Sequence, residues 1–302
     1  MKHIILLHYY CDSEIKCYLE IADFFLDYSQ CKSEYEFLLL CSSFIQPSEN
    51  LHNAFLKIAP TRTVHCRNSQ PGHDKGCNAA FWEGMEYINS NYEKDGGFVL
   101  WLEADTFPAK RNWVDLLAKE WKAHPQALMM GLYLPKLKGV FPDHINGGAC
   151  YTKDFVECIP LQYKTLDSIV DVTISQYILG TKRYHKSRSF VFSHLFSLCN
   201  DISDPEKVIL NGFAQNREKF IFKGIKLLKD PVFLKEEKKR LKQLPPESKK
   251  CCWLWSRPIH NMCYLHDYLR TPYKRIKYRV YRYLNNWKLG IATYRQTIRS
   301  GQ

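Results

Sequence analysis

Short apolar runs alternate with amphipathic helical stretches over the first 130 residues, and this predicts an α/β fold on a mainly parallel sheet. The runs are His3–His8, Glu36–Cys41, Thr63–Cys66, Gly97–Leu102 and Ala127–Tyr133. Most are continuously apolar, as strands covered on both faces are. Between them, apolar residues recur at helical spacing: Ile15, Leu19, Ala22 and Leu26, then Phe81, Met85 and Ile88. Trp113, Leu116, Leu117 and Trp121 make a third stripe, with Asn112 placed to cap it. The run 97–102 is followed directly by two carboxylates two residues apart, Glu103 and Asp105. In open α/β sheets, ligands bind at this carboxyl end of the strands.

Composition bounds the rest. With 302 residues, 45% hydrophobic and 14% aromatic, the chain suits one large globular domain, or a smaller one with an appendage. No apolar run reaches the roughly 20 residues that cross a bilayer. The start, Met1 to His8, reads as a first strand and not as an export signal. The 12 cysteines are scattered, with no CxxC pair, so a structural zinc site is not expected. Reduced thiols packed as small core residues are expected instead, in a cytoplasmic protein that sits at most on the inner face of a membrane.

Downstream of Pro135 the pattern loosens. Pro142 to Ala149 is a turn-rich loop carrying Gly147 and Gly148, followed by a short strand at Cys150–Tyr151 and a helix near Asp154–Cys158. A second helix is expected over about Ser168–Leu179, then a strand at Ser189–Phe192. After Asn200 the chain turns basic, with a charged helix over Phe233–Leu244.

The acidic triplet carries the chemistry. Residues i and i+2 leaving a strand point the same way, so Glu103 and Asp105 converge, and their like charges call for a cation between them. A hard divalent metal, Mn²⁺ or Mg²⁺, fits this demand, and a diphosphate is its natural cargo. Asp105 is assigned as the direct metal ligand, while the longer Glu103 binds through water or holds a ribose. The plain reading is two solvated carboxylates in a turn; the strand context and the motifs upstream favour the functional one.

The stretch Phe98-Val99-Leu100-Trp101-Leu102-Glu103-Ala104-Asp105-Thr106-Phe107-Pro108 resembles the end of the nucleotide-binding half in GT-A glycosyltransferases, particularly family 2-like enzymes, with Glu in place of the first Asp. Upstream, Asp74-Lys75-Gly76-Cys77-Asn78-Ala79-Ala80 resembles the stretch that follows their third strand. Downstream, Asn146-Gly147-Gly148-Ala149 resembles their acceptor-side loop. The resemblance covers residues 1–200. It implies a GT-A-type, Rossmann-like domain with a nucleotide-binding half over 1–108 and an acceptor half over 109–200, and it says nothing of 201–302. It implies a nucleotide-sugar donor and a glycan, lipid-linked or other acceptor. By position, Asp171 is the acidic residue near the acceptor hydroxyl, where a base is needed, with Asp167 as its rival. His194 falls where such enzymes supply a histidine to metal or diphosphate, with His185 as its competitor. The nucleotide is expected at the ends of the first two strands, His8, Tyr9, Tyr10, Ser42 and Ser43, near Asp74 and Lys75, with Tyr9 or Tyr10 stacking on the base.

The chain's net charge of +12 lies in its last third: residues 251–302 hold 10 basic side chains and one acidic. Thr271-Pro272 starts a helix, and Tyr273, Ile276, Val280, Tyr283 and Trp287 then repeat at helical spacing among cations. Such a segment suits docking on its own domain, peripheral contact with an anionic membrane, or, with less support, nucleic acid. Two other whole-protein readings stand beside the transferase. A sugar nucleotidyltransferase would carry a Gly-rich basic loop after the first strand, where this chain has His8-Tyr9-Tyr10-Cys11-Asp12. A non-catalytic membrane- or nucleic-acid-binding protein would not turn over a nucleotide sugar.

Overall fold

The structure, a computed structural model, describes residues 1–243 apart from 68–69, 71–72, 136–141, 165–169, 194, 196–197 and 213–216, and without the side chains of 73–74. The first half runs β1 (His3–Tyr9), α1 (Asp12–Tyr28), β2 (Tyr35–Cys41), α2 (Glu49–Leu56), β3 (Thr61–His65), α3 (His73–Asn91) and β4 (Phe98–Leu102). Then come β5 (Thr106–Pro108), α4 (Trp113–Lys122), β6 (Met129–Gly131), β7 (Tyr133–Leu134), β8 (His144–Ile145) and β9 (Cys150–Thr152). The remainder is α5 (Phe155–Cys158), α6 (Val170–Thr181), β10 (Tyr184–Lys186), β11 (Phe190–Phe192), α7 (Leu198–Ser203), β12 (Ile209–Asn211), α8 (Arg217–Lys229) and α9 (Pro231–Gln243).

A seven-stranded sheet in the order β10-β6-β9-β4-β1-β2-β3 forms the centre. β1 is parallel to both β2 and β4, β2 to β3, and β10 to β6; β9 alone runs antiparallel to its neighbours β4 and β6. The mixed α/β architecture with a mainly parallel sheet is the one expected. Its continuous apolar runs are explained by two cores, one on each face. Ile5, Leu7, Phe37, Leu39, Leu100 and Leu102 point into one with α1, α4 and α8. Ile4, Leu6, Leu38, Leu40, Val99 and Trp101 point into the other with α3, α5 and α6. Successive residues of a strand thus serve opposite faces.

Several local expectations shift. In α1 the buried face is Cys17, Tyr18, Ile21, Phe24, Phe25 and Tyr28, and Leu26 is 53% exposed, because the aromatic side chains take the core. Asn112 makes no side-chain cap to α4. α6 runs on through Gly180 to Thr181, and Lys182 takes the left-handed turn that ends it. None of the nine described cysteines forms a disulfide.

A three-stranded sheet, β11-β12-β5, was not anticipated. Its middle strand comes from beyond residue 200 and pairs antiparallel with β5, Leu210 against Phe107. Gly224 of α8 packs so tightly on Phe107 that a Cβ there would fall 2.0 Å from the ring. Leu210, Phe220, Ile221 and Leu227 share the core of β1 and β4. The expected line at residue 200 therefore cuts through α7 and through one continuous core. The segment 244–302, with its expected aromatic and cationic helix, lies outside the described residues. No described helix is long and apolar enough to cross a membrane.

His3 supplies a pH signature for this fold. It is 2% exposed, stacks on Phe98 at 4.1 Å, and its Nδ1 accepts the Phe98 N–H at 3.2 Å. Burial first, then the charge of Lys153, pushes its pKa down to about 4. The unfolded chain binds this proton near pH 6.5, so the stability His3 gives is full above that pH and is lost as pH falls toward 4. Measured against His3→Gln by urea unfolding, the parent should lose about 2 kcal/mol more stability between pH 7 and pH 5; an equal pH dependence in the two proteins would assign the effect elsewhere.

Candidate active site

β4 ends at Leu102 and the chain turns at once, Thr106 N–H donating to Glu103 O at 2.9 Å, before β5 leaves for the second sheet. Asp105 is carried into the turn, 6% exposed, and its carbonyl accepts the Gly212 N–H at 2.8 Å. Glu103 is held by Asn211 of β12, whose Nδ2 donates to Oε2 at 2.7 Å. Burial first, and the negative charge of Glu103 second, push the Asp105 carboxyl up to about 8, while Arg217 pulls it back. The two acids therefore lie close enough to resist ionising together, as the sequence spacing implied.

Three groups around this pair were not foreseen. Arg217, the first residue of α8, places Nη1 2.6 Å from Glu14 Oε1, and its charge is felt by Asp105, Tyr10 and Tyr18. Glu14 is 5% exposed and also accepts the Tyr10 N–H at 3.0 Å, which binds the end of β1 to α1 and α8. The Tyr18 hydroxyl contacts the carbonyls of His8 at 3.2 Å and Leu102 at 2.9 Å, tying β1 to β4 where both strands end. Two buried atoms here, Thr106 Oγ1 and Arg217 Nε, have no hydrogen-bond partner among the described residues.

The glycine loop lies beside the acidic pair because β9 runs against β4, so its entry meets the exit of β4. Trp101 N–H donates to Ala149 O at 3.1 Å. Gly148 N–H donates to Asn146 Oδ1 at 3.1 Å, and a Cβ at Gly148 would stand 3.6 Å from Glu103 Oε2. On the loop's other side Asp171, 5% exposed near the start of α6, takes the Gly147 N–H on Oδ2 at 3.1 Å and its neighbour Val172 N–H on Oδ1 at 2.8 Å. Burial raises the Asp171 carboxyl, against the opposing influence of His144 and these two N–H groups. Asn78 of α3 accepts the Val170 N–H at 3.1 Å and so fixes the same helix start.

The nucleotide-side expectations divide. Tyr9 is fully buried in the core, with its hydroxyl accepting the Ser48 N–H at 3.2 Å. It cannot stack on a base, a correction that follows from its sharing a strand face with Ile5 and Leu7. Tyr10 is half-buried at the end of the same strand, with His8 tilted against it at 6.0 Å. Ser42 is buried and donates its N–H to Tyr9 O at 3.0 Å. Lys75 is exposed on α3; Asp74 belongs to the same helix, but its side chain lies outside the described residues. His194 and Asp167 lie outside them too. His185 is drawn away on the sheet edge, its Nε2 2.9 Å from Glu120 Oε1 and its ring stacked 3.5 Å from His124.

A divalent cation of the Mg²⁺ or Mn²⁺ kind takes one or two carboxylates and completes its shell with phosphate and water. Glu103 and Asp105 meet that demand, and their mutual repulsion favours a positive charge. Among the described residues no group of three His, Cys, Asp or Glu is arranged to hold a metal on its own.

No protein-family model and no curated protein matches the chain. Solved structures similar to it include residues 1–349 of S. aureus TarS in complex with UDP-GlcNAc, at 11% identity over 70% of this chain and 59% of that one, with a TM-score of 0.44. Mouse xyloside xylosyltransferase 1 is similar at 9% identity, over 71% of this chain and 99% of that one, TM-score 0.48. The galactosyltransferase LgtC, in complex with donor and acceptor sugar analogues, is similar at 12% identity, over 82% and 99%, TM-score 0.47. The chain spans 59% of the length of the TarS fragment. Likenesses this distant leave the reading of the site to its own residues.

Proposed function

We propose that the protein is a glycosyltransferase that moves a sugar from a nucleoside diphosphate donor to a hydroxyl of a glycan, lipid-linked or other acceptor. The observation that carries this reading is the buried pair Glu103 and Asp105 at the carboxyl end of β4, with Arg217 on one side and the Gly147–Gly148 loop on the other. In transfer, the bond between the anomeric carbon and the diphosphate oxygen breaks, and the acceptor oxygen bonds to that carbon. The departing diphosphate gathers negative charge, which needs fixed positive groups in a site shielded from water. Arg217 supplies one. A Mn²⁺ or Mg²⁺ ion held by Asp105, with Glu103 assisting, would supply Lewis acidity to the leaving group.

Tyr10 is the ring available for contact with the base, and His8 and Lys75 belong to the same side. Asp171 is proposed to receive the acceptor proton. Its two oxygens already take backbone N–H groups, yet a carboxylate has about four lone-pair positions, so capacity for a hydroxyl proton remains. Burial raises its proton affinity in the direction a base requires. His194 is kept as a candidate metal or diphosphate ligand, and the basic segment 251–302 as a candidate for peripheral membrane contact.

The test is a thermal-shift screen of nucleoside diphosphates in the presence of Mn²⁺, since a ligand that binds only the folded state raises its melting temperature. At 100 times its Kd, such a ligand adds about 2.7 kcal/mol, a shift of a few degrees. One base should be preferred, and Asp105→Ala should remove the shift. No shift with any nucleotide would overturn the reading.

A further inference from the structure

We propose that the carboxyl end of the edge strand β10, with the residues just after it, forms an anion-binding subsite for the acceptor, suited to a glycan chain bearing repeated negative charge. β4, β6 and β10 all point the same way, because β9 is antiparallel to both β4 and β6 and β10 is parallel to β6. Lys186, at the carboxyl end of β10, pairs with Gly131 at the end of β6, so it stands on the same rim of the sheet as Glu103. Three strand spacings separate β10 from β4, about 14 Å. An extended acceptor reaching the acidic pair from that side would cross β6 and β9.

Lys186 and Arg188 are exposed at the carboxyl end of β10, whereas the exposed Lys182 and Arg183 precede the strand, with Arg183 Nε donating to Gln126 O at 3.5 Å. Lys186 is held in place, its Nζ 3.5 Å from the centroid of the Tyr133 ring and 5.8 Å from that of Tyr184. Among the described residues, the ion pair recorded for these four is Arg188 with Glu206, at 3.7 Å and exposed on both sides. Glu120 is engaged with His185 and Ser189, and His185 lies on the opposite strand face from Lys186. The Tyr133 hydroxyl, on the ring over which Lys186 sits, is hydrogen-bonded to Asp143. Lysines on an edge strand also discourage pairing with other edges. That role asks nothing of a lysine fixed over two rings on the rim of the active site, which is what sets Lys186 apart.

The acceptor assignment rests on the transferase reading, whereas the anion binding does not. The test uses the full chain with fluorescent inorganic polyphosphate, polygalacturonate and neutral dextran, and with phosphatidylglycerol vesicles. Lys186→Glu/Arg188→Glu should lower affinity for a polyanion about tenfold. Lys235→Glu/Lys239→Glu on α9, the same change of charge elsewhere, should leave it within about twofold. Polyphosphate and polygalacturonate distinguish a phosphate from a carboxylate chain. Lys186→Gln/Arg188→Gln, which removes the charges without reversing them, should show a smaller loss in the same direction at an unchanged melting temperature. The proposal is overturned if both Glu double variants lose affinity equally, if neither does, or if only vesicle binding falls. The nucleotide thermal shift, read on the same samples, should be equal in all variants. Its absence from the parent protein would sink the transferase reading while leaving polyanion binding to judge the subsite.

Discussion

Asp105→Asn is expected to lower glycosyl transfer by about 100- to 1,000-fold, the usual cost of removing a group that stabilises charge developing in a transition state. The same substitution should leave the fold intact. The side chain is 6% exposed, asparagine has nearly its shape, and burial with Glu103 already raises the Asp105 carboxyl to about 8. Its pKa in the folded protein lies above its unfolded value near 3.9, so the stability it contributes is full below that pH and is lost as pH rises through about 8. Without divalent cation, then, the variant should gain in melting temperature over the parent as pH goes from 5 to 8. With Mn²⁺ the order should reverse, because only the parent carries the carboxylate proposed to hold the ion. A variant that kept both its turnover and its response to Mn²⁺ would remove Asp105 from the site.

How much of this could be read from the sequence depends on distance along the chain. β1, β2 and β4 announce themselves because both faces are covered, which leaves uninterrupted apolar runs. The acidic pair and the glycine loop are legible for a similar reason, each being a local pattern at a strand end. β5 and β12 are three residues each, too short to show a period, whereas β11 falls within the strand expected at Ser189–Phe192. The side chains that complete the site come from far off: Asn211 reaches Glu103 across 108 residues and Arg217 reaches Glu14 across 203. Neither contact leaves a spacing to recognise. Tyr9 is a different kind of miss. The alternation Ile5, Leu7, Tyr9 assigns it to the core face, and that signal was present in the strand itself.

Arg217 carries the second large effect, and its structural and functional parts can be separated. Arg217→Met takes the guanidinium from Glu14, a carboxylate that is 5% exposed, and breaking a buried ion pair from one side costs about 3–5 kcal/mol. Loss of stability alone would say little about catalysis. Glu14→Gln/Arg217→Met removes both charges, and such replacements of a whole buried pair are often close to neutral. The double variant should therefore regain most of the stability lost by Arg217→Met. Arg217 also lies close enough to Asp105 to lower its proton affinity, and under the proposed function it supplies a cation to the departing diphosphate. If that is its task, the stable double variant remains about 100-fold slower than the parent, and Arg217→Lys, which keeps the charge without the paired N–H donors, falls between them. Recovery of full turnover in the double variant would reduce Arg217 to a brace between α8 and the end of β1. A stable but slow double variant would make the strand-end carboxylates and a cation delivered by the last third of the chain parts of one site, and would explain why the core runs unbroken past residue 200.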